Sequence, residues 1–99
     1  MISRQWRGLA KREDADRYIG HLREEIFPAL RAIPGFVSAS ILKREADPGV
    51  EFLIVTRWAS MQAVEAFAGP EPERAVVPEE AQAMMIDYDR SVRHYEVVA

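Results

Sequence analysis

The segment EFLIVTRW, residues 51–58, constrains the fold most, because a β-strand with this sequence has apolar side chains on both faces. Successive strand side chains point to opposite sides of a sheet, and a small antiparallel sheet with one wet face alternates apolar and polar residues. Here the two faces are Phe52, Ile54, Thr56 and Trp58 on one side, and Leu53, Val55 and Arg57 on the other. The segment therefore predicts a strand that is covered on both sides.

The remaining periodicity predicts the order β-α-β-β-α-β with an additional short helix. The predicted elements are a strand over 2–7, a helix over 13–31, a hairpin of strands over 36–45 and 51–58, a helix over 61–69, a short helix over 79–85 and a last strand over 88–98. Gly8 is expected to end or bulge the first strand, and Pro28 to kink the first helix or begin a new final turn. This order is typical of an α+β, ferredoxin-like fold with a four-stranded antiparallel sheet and helices on one face.

The length and composition predict one ordinary domain over residues 1–99, with 48% hydrophobic and 29% charged residues. The chain has no cysteine, which excludes disulfides, thiolate metal ligands and cysteine nucleophiles, and which fits a reducing cytoplasm. No apolar run approaches the roughly 20 residues of a membrane span, and the first residues contain no apolar signal core. With a net charge of −3 and no basic block, the chain is expected to bind neither nucleic acid nor membranes.

Helices on one face of the sheet leave the other face of the 51–58 strand without a cover from the same chain. Leaving Leu53, Val55 and neighbours such as Ile41 exposed would cost several kcal/mol, at about 25 cal/mol per Å² of apolar area. The simplest cover is a second copy that packs sheet against sheet across a two-fold axis. We therefore expect a homodimer.

Five short motifs occur in an order and spacing that resembles the antibiotic biosynthesis monooxygenase family of dimeric α+β barrels. They are WRG at 6–8, PGF at 34–36, EFLIVTRWAS at 51–60, AFAG at 66–69 and VRHYEVV at 92–98. The resemblance covers nearly the whole chain and implies the barrel fold. The family includes cofactor-free oxygenases of quinol-like and polyketide aromatics, haem-degrading enzymes and members of unassigned role, and a shared fold does not decide among them.

The resemblance also allows the haem-degrading branch to be tested. Those members use an asparagine on the first strand, a tryptophan on the second helix and, shortly after it, a histidine that ligates iron. Aligned on WAS, these positions hold Trp6 or Arg7, then Phe67, then Val77. Because an aliphatic side chain has no lone pair to give iron, haem degradation is not expected.

Five residues are candidates for the chemistry of a cofactor-free oxygenase, chosen by the type of their side chains and by their places on the predicted elements. His94 on the last strand could act as a base, since a histidine titrates near neutrality, and Arg7 could hold the resulting anion. Trp6, Trp58 and Phe67 could form the walls of a pocket for an aromatic ring. In the alternative interpretation, His94 is a strand histidine bonded to a neighbour, and the tryptophans only pack in the core.

The leading hypothesis is a cofactor-independent monooxygenase of a small electron-rich aromatic, such as a quinol or an anthrone-like polyketide. The alternative is a non-catalytic dimeric barrel that binds a small ligand or whose cavity is filled by its own side chains. No metal site is predicted, because His21 and Glu24 share one helical face but two ligands do not make a site. His21 is expected to lie on a solvated helix surface.

Overall fold

A computed structural model describes residues 1–99 as an antiparallel sheet with helices packed on one of its faces. The strands are β1 (Ile2–Ala10), β2 (Phe36–Glu45), β3 (Val50–Trp58), β4 (Met85–Tyr88) and β5 (Arg93–Glu96), and the helices are α1 (Ala15–His21), α2 (Phe27–Arg31), α3 (Met61–Ala68) and α4 (Glu79–Met84). The strand order is β2-β3-β1-β4, and β5 also pairs with β1. The α+β, ferredoxin-like prediction is confirmed. No helix is both long and apolar enough to cross a membrane.

The last strand differs from the prediction. In place of one strand over 88–98, the chain forms β4, which begins earlier at Met85, and the short β5 over Arg93–Glu96, and the sheet therefore has five strands. Two of the residues between them, Arg90 and Val92, bond to the loop before α4. Backbone hydrogen bonds run from Ala75 N to Arg90 O at 2.9 Å and from Val92 N to Glu73 O at 2.8 Å. The division thus ties the 71–75 loop to the sheet.

The first helical region changes its winding before Pro28, as the kink prediction anticipated. Residues 22–26 form a π-helical turn, in which the Phe27 N–H donates to the Leu22 carbonyl. A proline within an α-helix lacks the N–H for the helical bond, and its ring crowds the carbonyl four residues earlier. A π turn is a common way to absorb such a disruption without ending the helix.

The first strand continues through Gly8 to Ala10, so Gly8 does not end it. The irregularity lies one residue later, where the pairing of β1 with β4 shifts register between Leu9 and Ala10. Gly8 is required for a different reason. A Cβ atom there would lie 2.5 Å from the Trp6 ring and 3.1 Å from Met85 Sδ.

The register of the sheet defines two faces. Residues directly opposite each other in an antiparallel pair point to the same side. Phe52, Ile54, Thr56 and Trp58 point toward the helices, and so do their partners on β1, which are Gly8, Trp6, Arg4 and Ile2. The other side, here called the outer face, carries Leu53 and Val55, with Gln5, Arg7, Ser40 and Leu42 opposite them. Ile41 is opposite Ile54, so its expected place beside Leu53 is wrong.

The core lies between the helix-facing side of the sheet and the helices, and Trp58 is at one end of it. Trp58 is 0% exposed, and its indole N–H donates to Thr56 Oγ1 at 2.9 Å. Its ring packs edge-on against Phe36 and stacks on Phe67, with centroids 5.6 Å apart in the stacked pair. Ser60 then caps α3 by accepting from the Ala63 N–H. The expectation that Trp58 is buried where strand and helix meet is confirmed.

We expect Trp58→Ala to lower the free energy of unfolding by about 3–5 kcal/mol, because it removes a fully buried aromatic side chain and leaves a cavity. Trp58→Phe is the matched control, since it keeps a ring against Phe67 and should cost less. Denaturant unfolding of both variants measures the difference. A loss below about 1 kcal/mol for the alanine variant would contradict the packing described here.

Candidate active site

A cavity of about 120 Å³ lies between the helix-facing side of the sheet and the helices. Its wall is mainly apolar: Trp6 and Ile54 from the sheet, Leu22, Ile26, Phe27, Leu30, Phe67 and Ala81 from the helical regions, and Val76, Val77, Pro78 and Val92 from the loops. Four polar side chains share the wall, namely Arg4, Tyr18, His21 and Thr56. An apolar pocket with a few convergent polar groups is the usual form of a small-molecule site.

Two of the three predicted aromatic walls line this cavity. Trp6 is half-buried, and its indole N–H is fixed by donation to the Asp89 carbonyl at 2.8 Å. Phe67 lines the cavity beside the Arg4 guanidinium, whose Cζ lies 5.6 Å from the centre of the Phe67 ring. Trp58 is not in the wall, because it lies behind Phe67 in the core. Its contribution to the site is to support the Phe67 ring.

Arg4 places a buried positive charge in the cavity wall, and the sequence analysis did not single it out. The residue is 5% exposed and forms no salt bridge. Its guanidinium donates to the carbonyls of Pro72 at 2.5 Å and Arg74 at 3.2 Å. Burial lowers the pKa of Arg4, and the charge of Glu73 acts in the opposite direction. An arginine side chain nevertheless stays protonated, so the charge in the wall is permanent.

His94 lies beside Arg4 on the helix-facing side of the sheet, since Arg4 and His94 are paired across β1 and β5. Arg4 Nη1 is 2.9 Å from His94 Nε2. Because a guanidinium can only donate, Nε2 is the acceptor, and its lone pair is already engaged. Partial burial and the Arg4 charge both lower the pKa of His94, while the charge of Glu73 partly opposes them. The imidazole is therefore held in its neutral form, next to the cavity.

Arg7 is not part of this arrangement. It lies on the outer face opposite Leu53, and its guanidinium pairs with Glu51 at 3.0 Å. Glu51 also accepts from Arg44, and these two bonds lower the pKa of the carboxyl group. The strand alternation that sends Arg4 into the cavity wall sends Arg7 to the other side. The structure thus brings His94 together with Arg4, and separates both from Arg7.

His21 lines the cavity, so its expected place on a solvated helix surface is wrong. Its side chain is 5% exposed, and its ring stacks on Tyr18 with centroids 6.4 Å apart. Nδ1 is 2.6 Å from Glu25 Oε2 and 3.7 Å from Glu80 Oε2. Nε2 is buried and has no hydrogen-bond partner. Burial also raises the pKa of Tyr18, which keeps that phenol protonated.

The sequence contains one signal by which Arg4 and His21 could have been recognised. Arg4 and Trp6 lie on the same face of β1, and this face points toward the helices. His21 lies on the same apolar helical stripe as Tyr18, which is three residues earlier, and Leu22, which is the next residue. A polar residue within an apolar stripe is the informative exception, because burying it requires a partner or a function.

The fold and the pocket together define an α+β protein with an apolar cavity between sheet and helices. The sequence profile described as antibiotic biosynthesis monooxygenase matches residues 1–79, and the chain belongs to this family. The resemblance seen in the sequence is thereby confirmed. No curated protein matches the sequence.

Several solved structures share the fold. An antibiotic biosynthesis monooxygenase is 21% identical, with a TM-score of 0.70 and 100% of each chain covered. The monooxygenase from ActVA-Orf6 of Streptomyces coelicolor, in complex with nanaomycin D, is 14% identical with a TM-score of 0.65, covering 99% of this chain and 88% of that one. The haem degrader MhuD of Mycobacterium tuberculosis, with two haems in its active site, is 18% identical with a TM-score of 0.61, covering 100% and 97%. At these identities, the likeness concerns the fold alone.

Haem does not fit the pocket of this chain. A cavity of about 120 Å³ is close to the roughly 150 Å³ of an apolar cavity that holds one benzene ring, and a porphyrin is several times larger. Val77, at the position aligned with the iron ligand, contributes only an aliphatic side chain to the wall. The free lone-pair nitrogen in this wall belongs to His21, which lies on a different element.

We expect titration with haemin to give no sharp Soret shift at micromolar concentration, because the cavity is too small and Val77 cannot ligate iron. Absorbance spectroscopy of the purified protein is the measurement, and His21→Leu is the matched variant. A sharp shift in the unaltered protein that disappears in His21→Leu would show that haem enters and that His21 ligates it.

Proposed function

We propose that the protein is a cofactor-independent monooxygenase that oxidises a small electron-rich aromatic, such as a quinol or an anthrone-like polyketide. The observation that supports this most is the buried guanidinium of Arg4, which lies in an apolar cavity wall and has hydrogen-bond acceptors but no salt bridge. Burying a cation without a counter-ion is costly, so the site is stabilised by a ligand that carries negative charge. The anion of an acidic phenol or activated methylene has this charge together with an apolar body.

The reaction requires no electron donor beyond the substrate. The aromatic loses a proton, and its anion can transfer electrons to dioxygen directly. One oxygen atom then enters the carbon skeleton and the other leaves as water, so that a hydroquinone and O₂ give a hydroxyquinone and H₂O. The protein has to promote formation of the anion, hold it and limit access of water.

The residues of the pocket can be assigned to these tasks. Arg4 holds the anion, in place of the Arg7 that the sequence suggested. His94 is a positioning residue, because its Nε2 accepts from Arg4 and fixes the direction of the guanidinium. Trp6 and Phe67 form the aromatic walls. Trp58 acts through Phe67 by stacking on it.

The size of the cavity favours one substrate class within the proposal. About 120 Å³ corresponds to a single aromatic ring by comparison with a benzene-binding cavity of roughly 150 Å³. A monocyclic quinol therefore requires less opening of the wall than a tricyclic anthrone does. For this reason we propose that quinols are better substrates than anthrones.

The alternative is a barrel that binds a small ligand without turnover. The presence of a cavity favours a ligand over a completely filled interior, and this holds for both hypotheses. They differ in whether dioxygen is consumed. The decisive measurement is oxygen uptake with a panel of monocyclic quinols and anthrones, with no cofactor added and with the uncatalysed autoxidation subtracted.

We expect Arg4→Met to lower kcat/KM for oxygen uptake by about 10²–10³-fold, because it removes a preorganised charge that stabilises the anion. Arg7→Met is the matched control, since Arg4 and Arg7 lie three residues apart on β1 but on opposite faces. It should leave the rate within a few fold. A large loss in Arg7→Met and none in Arg4→Met would restore the assignment made from the sequence.

We propose in addition that two copies pack through their outer faces to form a homodimer. Leu42 and Tyr95, on the outer face, are 49% and 48% exposed, and Leu53 and Val55 lie half-buried between them in the sheet. Together they form an apolar surface that the helices do not cover. Association with a second copy would remove this surface from water, at about 25 cal/mol per Å².

Light scattering at micromolar concentration should therefore give a mass near twice 11.3 kDa. Val55→Asp should shift the mass toward the monomer, because it places a charge within the proposed interface. Gln62→Asp, on the exposed surface of α3, is the control and should not change the mass. A stable monomer in the unaltered protein contradicts the proposed dimer.

A further inference from the structure

We propose that His21 is the base that removes the hydroxyl proton of the aromatic ligand through Nε2, with Glu25 orienting its ring. The proposal rests on the proposed function, because it names the group that forms the anion held by Arg4. It also assigns the base to His21 on α1, in place of His94 on the last strand.

The first observation is the unpartnered nitrogen. His21 Nε2 is a buried side-chain atom without a hydrogen-bond partner, and His21 lines the cavity. A buried polar atom left without a partner is costly, and such atoms in a native structure usually have a function or a missing ligand. A hydroxyl hydrogen donated by a ligand in the cavity would satisfy Nε2.

The second observation is the hydrogen bond at the other ring nitrogen. Nδ1 lies 2.6 Å from Glu25 Oε2, one helical turn further along the chain. A carboxylate only accepts, so Nδ1 carries the proton of this bond. In the neutral ring Nε2 then has its lone pair free, which is the tautomer that a base acting through Nε2 needs. Stacking on Tyr18 limits rotation of the ring.

The third observation concerns the charges that proton transfer creates. The O–H bond of the ligand breaks, its electron pair stays on oxygen, and the proton forms a bond with His21 Nε2. The imidazolium that results has the carboxylates of Glu25 and Glu80 at 2.6 and 3.7 Å from Nδ1. The aromatic anion has Arg4 in the same cavity wall. Each half of the new ion pair thus has a stabilising partner in place before the reaction.

His94 is less suited to the same task. Its Nε2 already accepts from Arg4, so a proton placed there would break that bond and bring a second positive charge beside the guanidinium. The two histidines therefore have different roles. His94 positions the cation, and His21 receives the proton.

The inference predicts selectivity for a free hydroxyl group, and it can be tested without turnover. The probes are 4-methylphenol and 1,4-dimethylbenzene, which differ only by a hydroxyl in place of a methyl group. Their dissociation constants are measured by NMR titration of the full chain, with EDTA present, and expressed as a ratio for each protein. Comparing ratios between proteins cancels the different hydration of the two probes.

We expect the ratio to shift by about tenfold against the phenol in His21→Leu, because a leucine has no acceptor for the hydroxyl. Glu25→Gln should shift it in the same direction by less. The matched control is Glu24→Gln, which changes an exposed carboxylate beside Glu25 on the same helical region and should leave the ratio unchanged. An unchanged ratio in His21→Leu overturns the proposal. Equal shifts in Glu24→Gln and Glu25→Gln overturn the orienting role of Glu25.

A second measurement uses the unaltered protein, in case His21→Leu does not fold. The chain has two histidines, so a ¹⁵N-histidine spectrum contains two rings, and His94→Gln assigns them. We expect His21 Nε2 to show the resonance of an unprotonated nitrogen and to move on addition of 4-methylphenol but not of 1,4-dimethylbenzene. A protonated Nε2 in the neutral ring overturns the proposal. The same spectrum recorded with Zn²⁺ and without EDTA tests metal binding, and coordination through Nε2 would also overturn it.

Oxygen uptake separates this inference from the proposed function. If a quinol is turned over, His21→Leu should lower the rate by about 10²–10⁴-fold, the range for loss of a positioned base. Turnover that is unaffected in His21→Leu overturns the base assignment and leaves the proposed function standing. Absence of turnover with every quinol and anthrone, together with a hydroxyl preference that depends on His21, instead overturns the proposed function and leaves Nε2 as the hydroxyl acceptor.

Discussion

Burial of the Arg4 guanidinium is the interaction on which the architecture of the pocket depends. The side chain is 5% exposed, and two of its acceptors, the carbonyls of Pro72 and Arg74, belong to the loop before α4. The same loop exchanges backbone hydrogen bonds with residues 90–92, which is why the last strand is divided. One charged side chain thus connects the central strand, the loop that closes the cavity and the strand that carries His94. Without these acceptors, the charge could not stay in an apolar wall.

The pocket combines two polar arrangements within an apolar cavity. The Arg4 and His94 pair supplies a positive charge, and the His21 and Glu25 pair supplies a free lone pair. A reaction that moves a proton and leaves an anion creates one charge of each sign. In a cavity with little water, fixed charges and dipoles interact more strongly than they do in solution. The apolar wall therefore contributes to the chemistry as well as to recognition of the aromatic ring.

The helical region between Ala15 and Arg31 positions the His21 and Glu25 pair. Tyr18, His21 and Leu22 all line the cavity, and Leu22 is the first residue of the π turn over 22–26. Glu25 lies within that turn and bonds His21, while Pro28 lies in the first turn of α2, the final α-helical segment. π turns are frequent at functional sites, and here one coincides with the segment that orients the ring of a buried histidine.

The sequence by itself determined the order of the elements, the two apolar faces of β3 and the family. Periodicity is a local property, so the strand alternation at 51–58 and the helical stripe from Tyr18 to Leu30 can be recognised without knowledge of the fold. Of the three predicted aromatic walls, Trp6 was recognised as a large flat side chain on a strand, and Phe67 by its position on the second helix. His94 was recognised as a candidate by its chemistry, but the face of the sheet on which it lies was open.

Only the tertiary structure decided which polar residues meet. Strand alternation already puts Arg4 and Arg7 on opposite faces, but the face that turns toward the helices is decided by the packing and by the register of β1 against β3. His21 looked like a surface residue because its partners, Glu80 and the cavity wall, are contributed by distant parts of the chain. The division of the last strand depends on hydrogen bonds with the 71–75 loop, which has no periodicity to predict them. Contacts between residues far apart in the chain arise from packing, and local pattern carries no information about them.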